Sequence, residues 1–143
     1  MAVAACQRML LPAQPQGRGV LIEGAPGTGK SALALALIDR GAMLIGDDGV
    51  MLARFRDRLL AYPHPNTRGL LEVRNLGLLT FPVGEMVEVT LLVRLDVDAP
   101  RFIEAAQPIE RAGLDIPAVA IWPSPGPPFL KVEQALRIYG TSS

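Results

Sequence analysis

Three features of the sequence predict an α/β fold: a mixed sheet with flanking helices, in a single domain spanning residues 1–143. A short apolar run, Gly19 to Glu23, leads into Gly24-x-x-x-x-Gly29-Lys30-Ser31, and an Ala/Leu-rich helix follows at once. A second apolar run, Met43 to Gly46, ends in Asp47-Asp48. A longer stretch, Val87 to Leu95, alternates apolar and polar residues as a half-buried strand does. Strand, glycine loop and helix in that order are the confirming context of the P-loop pattern.

Each part of the loop has a physical reason. Glycines let the backbone turn tightly and bring its N–H groups against phosphate oxygens. The helix behind them points its positive N-terminus at the same anion. Lys30 adds a mobile positive charge for the β- and γ-phosphates, and the Ser31 hydroxyl suits Mg²⁺. Gly24, Ala25, Pro26, Gly27, Thr28, Gly29, Lys30 and Ser31 are therefore the expected phosphate cradle.

The remaining elements follow in order. Met9-Leu10-Leu11 could open a strand, which Pro12 and Pro15 would confine to a sheet edge. Val20 to Glu23 reads as a buried strand and Lys30 to Arg40 as a helix of good helix formers, stopped by Gly41. Such a helix runs back about 16 Å, and the extended residues Met43 to Gly46 recover about 13 Å. A right-handed β-α-β crossover then returns Asp47 to the sheet edge that carries the P-loop. Asp-Asp-Gly is also ordinary turn chemistry, so position alone does not assign a role.

Val50 to Arg54 and Arg58 to Tyr62 predict a hairpin around Phe55-Arg56-Asp57, and the proline-flanked stretch Tyr62 to Gly69 a loop containing the lone His64. Leu70 to Leu79 sets Glu72 and Arg74 two residues apart, on one strand face in an apolar context. Buried charges of that kind need partners. A metal–phosphate site would supply them, and so would a structural ion pair. Arg101 to Ala106 is expected to form a helical turn, and Ala118 to Trp122 a last strand. Pro123 to Pro128 is a stiff loop, and Phe129 to Tyr139 closes the chain as a helix with Phe129, Val132, Leu136 and Tyr139 on one side.

Composition narrows the function classes. Fourteen Lys and Arg balance fourteen Asp and Glu with no basic cluster, which argues against a nucleic-acid partner. Cys6 is alone, so neither an intrachain disulfide nor a cysteine-based zinc site is available, and a single His argues against a transition-metal centre. No apolar run reaches the ~18 residues of a membrane span and Met1 to Leu11 lacks a signal-peptide layout, so the expectation is a cytoplasmic protein. Half of the residues are apolar, which points to a subunit interface.

Taken together, the P-loop, the Arg40-Gly41 turn, Asp47-Asp48 and Leu71-Glu72-Val73-Arg74-x-Leu76-Gly77 resemble the catalytic domain of HPr kinase/phosphorylase, most closely its short catalytic-domain-only members. The resemblance is firm over about residues 17–79. It implies a P-loop kinase domain that uses ATP and Mg²⁺ to phosphorylate a serine of the phosphocarrier protein HPr, and that assembles as a homo-oligomer, a hexamer. By the same resemblance Lys30 holds the transferred phosphate and Asp47 is the general base, or the acid in the reverse reaction. Arg74 joins them in the catalytic set, with Ser31, Glu72 and Asp48 around Mg²⁺. A carboxylate beside Lys30 stays ionised at neutral pH, as a base must. Arg8 stands where the family carries a histidine, Gly49 where it usually carries arginine, and Asn75 where it carries glycine. Arg8 implies that kinase activity is kept while phosphorolysis is weakened. The alternatives are a kinase for another small-molecule hydroxyl and a nucleotide-binding regulator with impaired catalysis.

Overall fold

The structure, a computed structural model, describes residues 1–4, 18–47 and 49–141. Its elements are β1 (Ala2–Ala4), β2 (Gly19–Gly24), α1 (Lys30–Asp39), β3 (Met43–Gly46), β4 (Met51–Phe55), β5 (Arg58–Tyr62), β6 (Leu70–Val73), β7 (Gly77–Thr80), β8 (Val87–Leu95), β9 (Gln107–Arg111), β10 (Leu114–Ile121) and α2 (Phe129–Tyr139). The main sheet runs β3-β1-β2-β8-β10-β9, and the β4–β5 hairpin joins it through Leu60↔Glu88 and Ala61↔Val87. β6 and β7 form a separate two-stranded sheet.

Strands β2, β8 and β10 are mutually parallel. β1 is antiparallel to both β2 and β3, so β3 runs parallel to β2 with one strand between them. The crossover therefore does return Asp47 to the edge that carries the P-loop, but one strand removed from it. The sheet is mixed, as expected. The possible strand at Met9 to Leu11 lies outside the described residues, and β1 precedes it.

β8 does not behave as a half-buried strand. Both of its faces are covered, and its register with β2 shifts between Gly19↔Val89 and Val20↔Leu91, leaving Thr90 as an extra, fully buried residue. A bulge of this kind changes which face the following residues use. Leu91, Val93 and Leu95 thus pack with Leu33, Ala34 and Leu37 of α1 and with Val132, Ala135 and Leu136 of α2. Val87, Val89 and Leu92 pack on the other face with Leu59, Ala61, Ile116 and Ala118.

The two helices are tied to each other and to the sheet. Arg40, at the end of α1, donates to Glu133 of α2 at 2.7 Å and lies 5.5 Å from the centre of the Phe129 ring. Arg18, just before β2, donates to the carbonyls of Leu136 and Thr141 at 3.0 and 3.1 Å. A cation there also complements the negative end of α2. Burial removes solvent from this guanidinium and lowers its pKa from the ordinary arginine value.

Two expectations fail in the C-terminal half. Arg101 to Ala106 is an irregular run of bends rather than a helical turn, and β9 follows it. The last strand begins at Leu114, four residues before the expected Ala118, and ends at Ile121. Pro108 and Pro117 sit directly opposite each other in the β9–β10 ladder. Prolines normally demote a stretch to non-strand, but here they face one another near the sheet edge. No helix among the described residues is long and apolar enough to cross a membrane.

Candidate functional site

The glycine loop connects β2 to α1 at the C-terminal edge of the sheet. Gly27 and Gly29 have φ of 83° and 94°, and a Cβ at either would meet nothing within 4 Å. Their backbone is left-handed and faces open space, which is the geometry of a cradle for an anion. Gly24 is needed for a different reason: a Cβ there would lie 2.7 Å from Thr28 Oγ1 and 3.2 Å from the Leu95 carbonyl. Thr28 Oγ1 donates to the Ala25 carbonyl at 2.7 Å and so braces the loop across Pro26. Lys30 Nζ reaches back to donate to the Gly24 carbonyl at 2.8 Å, with the Ala25 carbonyl at 3.5 Å. Its ammonium is thus held at the loop rather than extended into solvent.

The β6–β7 hairpin supplies the facing wall. Leu71 and Val73 point into the core beneath α1, with Leu79 packed against the same cluster. Alternation then turns Glu72 outward. The Glu72 N–H donates to Asp47 Oδ2 at 3.4 Å, which joins the end of β3 to the hairpin. A cavity of about 400 Å³ results, lined by Gly27, Gly29, Lys30, Ser31, Ala32, Asp47, Glu72, Val73 and Arg74. Lys30, Ser31, Asp47, Glu72 and Arg74, from three separate stretches of chain, line this one cavity. Gly24, Ala25, Pro26 and Thr28 form the body of the loop behind it.

Three expectations about this site need correction or completion. Glu72 and Arg74 are exposed rather than buried in an apolar setting. Arg74 also does not share a strand with Glu72: β6 ends at Val73, and Arg74 opens a turn in which Asn75 has φ of 75° and Gly77 of 108°. Left-handed positions filled by Asn and Gly are a turn signal that the strand reading passed over. Asp48 lies outside the described residues, as does Arg8. His64 does not line the cavity, yet it is half-buried, and a Cβ on Gly49 would lie 3.5 Å from its own Cβ.

Sequence reasoning missed Glu23, the last residue before the loop. Its carboxylate accepts two hydrogen bonds from Arg111, at 2.9 and 2.6 Å, and Arg94 approaches to 3.8 Å. The bond from Arg111 holds the Glu23 carboxyl below the usual carboxylate range against an opposing effect of burial, and raises Arg111 in turn. No local pattern could have revealed the pair, since its partners stand 88 residues apart.

A glycine loop braced at the end of a central strand, with a helix behind it and carboxylates across from it, defines a P-loop α/β protein. Comparison with known proteins sharpens the class. Residues 13–114 match the family described as HPr Serine kinase C-terminal domain, and the chain belongs to that family. It is 33% identical over 123 residues to HPr kinase/phosphorylase of Caldicellulosiruptor bescii, covering 77% of this chain and 40% of that protein. A shorter match of 64 residues, 47% identical, links it to HPr kinase/phosphorylase of Shouchella clausii, covering 44% of this chain and 21% of that one. The solved structure of the Hpr(Ser) kinase/phosphatase from Coxiella burnetii superposes with a TM-score of 0.76 at 28% identity, covering 84% of this chain and 81% of that chain. The chain thus spans between 21% and 40% of the length of these two curated relatives.

Proposed function

We propose that this chain, acting as a single kinase domain, transfers the γ-phosphoryl group of ATP to a serine of HPr, with reverse dephosphorylation or phosphorolysis as a weaker activity. The observation that carries this reading is the meeting of Lys30, Ser31, Asp47, Glu72 and Arg74 at one cavity in a member of this family. The donors present fit a hard cation: a hydroxyl and a carboxylate, to be shared with phosphate oxygens. In this reading Ser31, Glu72 and Asp48 are the residues that would hold Mg²⁺, which would neutralise phosphate charge when bound.

The chain's own groups do the rest. The N–H groups of the loop and the start of α1 bind the phosphates. Lys30 exchanges the Gly24 carbonyl for a phosphate oxygen, keeping its ammonium satisfied in both states. Asp47 accepts the proton of the serine hydroxyl as the serine oxygen bonds to γ-phosphorus and the bond to the bridging β–γ oxygen breaks. Arg74 offsets the charge spread over the equatorial oxygens. Phosphoryl transfer is accelerated mainly by positioning and charge neutralisation, so this short set suffices. The reading includes a cytoplasmic setting and a homo-oligomer, a hexamer by the family's habit. Support for an interface is a groove of about 460 Å³ on α2 with Phe102, Trp122, Leu130 and Ile138 exposed along it.

Incubation with HPr, Mg²⁺ and labelled ATP, followed by mapping of the modified residue, tests the proposal. Label on a serine is the expected result. Binding without transfer, or label on a metabolite instead, overturns it. Vigorous release of phosphate or pyrophosphate from serine-phosphorylated HPr would overturn the weakened reverse reaction alone.

A further inference from the structure

The β6–β7 hairpin carries more apolar surface than its fold requires. Its inward face is taken up by the core: Leu71 and Val73 are buried in the cluster that includes α1, and Leu79 packs against it half-buried. On such a hairpin the outward face is ordinarily polar, because only one side is shielded from water. Here Leu78 is 63% exposed and stands directly opposite Glu72 in the ladder, while Leu76 in the turn is 66% exposed. Single exposed leucines are common and need no explanation. These two are neighbours of Arg74 and Glu72, on the element that walls the catalytic cavity.

We propose that the turn and outward face of this hairpin, Leu76 and Leu78, form the docking rim for the protein that bears the acceptor serine. The inference rests on the kinase reading and names the surface that selects its substrate. A serine that is part of a folded protein reaches Asp47 only if the surface around it comes down over the wall of the cavity. The hairpin is such a wall, and its outward residues are continuous with the site. The partner it fits presents a serine flanked by apolar side chains. Apolar anchors beside the reacting group exclude water and contribute to binding, without taking part in the chemistry.

The test is steady-state phosphorylation of HPr by the wild-type chain and by Leu76→Ser/Leu78→Ser. KM for HPr is expected to rise about tenfold, with kcat within about twofold and KM for ATP unchanged, the pattern of lost uniform binding. Leu78→Met is expected to keep most of the affinity. Phe55→Ser, at the tip of the β4–β5 hairpin whose Arg54 donates to the Gly113 carbonyl just ahead of β10, and so at the opposite edge of the sheet, is expected to leave KM unchanged. Thermal melts of the variants accompany the assay, since a merely structural role would move stability and kcat together. An unchanged KM for HPr in the double variant overturns the docking rim while leaving the kinase reading intact. So does loss of self-association at unchanged KM, which would make this face a contact between copies. Failure of the wild-type chain to phosphorylate HPr at all overturns the kinase reading and the rim with it.

Discussion

The two walls of the cavity are built differently. One, from β2 through the glycine loop and α1 to β3, belongs to the main sheet, and Ile22, Leu33, Leu44 and Ile45 within it are fully buried. The other, the β6–β7 hairpin, is a two-stranded piece outside that sheet, held beneath α1 through Leu71, Val73 and Leu79. A two-stranded hairpin has little stability of its own in water. The glycine-loop side of the site is therefore fixed by the global fold, whereas the Glu72–Arg74 side depends on the apolar contacts beneath α1, on the bond from Glu72 N–H to Asp47 and, just beyond β7, on the bond from Gly84 N–H to the Leu44 carbonyl. Segments with few buried contacts open at lower free energy than the core, so the hairpin is the half of the site free to adapt.

Substitutions on each wall separate chemistry from support. The largest effect belongs to the chemistry: Asp47→Ala should lower the transfer rate by about 10² to 10⁴, the usual scale for a lost base, while ATP affinity stays nearly intact. Single-turnover transfer and equilibrium nucleotide binding measure the two quantities, and near-normal transfer would remove Asp47 from its role. Leu71→Ala acts on support. A fully buried leucine truncated to alanine costs about 2 to 5 kcal/mol, read from denaturant unfolding. If the hairpin is the weakly held wall, hydrogen exchange in residues 70–80 should accelerate more than in β2 or α1. Uniform acceleration would erase the distinction between the walls.

The smallest expected effect tests the phosphate wall from behind. Glu23 is held by Arg111 and has a lowered pKa, so the pair stabilises the fold above the ordinary carboxylate value. That contribution is lost as pH falls through the lower folded value. Glu23→Gln should therefore reduce stability at neutral pH by at most about 1 kcal/mol, less at high salt, because the pair is partly solvated. The difference from wild type should shrink on acidification; a difference that grows would mean that Glu23 is held by something other than its charge.

Much of the first wall, and of the strand and helix behind it, was legible in the sequence. The glycine loop, α1, β3, β8 and α2 stand within a residue of where periodicity and helix stops place them, since each carries a dense local pattern. The β-α-β arithmetic also put Asp47 at the right edge without knowledge of the strand between. The second wall was half legible. Its alternation was readable, but Asn75 and Gly77 end the strand early and move Arg74 into a turn. What stayed hidden depends on long-range partners: a three-residue β1 too short for any pattern, the Pro108–Pro117 pairing, and Glu23 with Arg111.

The extra residue at Thr90 has a consequence for how this chain tolerates change. It sets the pleat of β8 in two opposite phases, one serving the side of the hairpin formed by β4 and β5, the other serving the helices. Removing that single residue would put the two halves in one phase, and whichever half kept its place would turn the other inside out. Lengthening a surface turn spares the core, but a one-residue deletion at this point would undo both hydrophobic layers together.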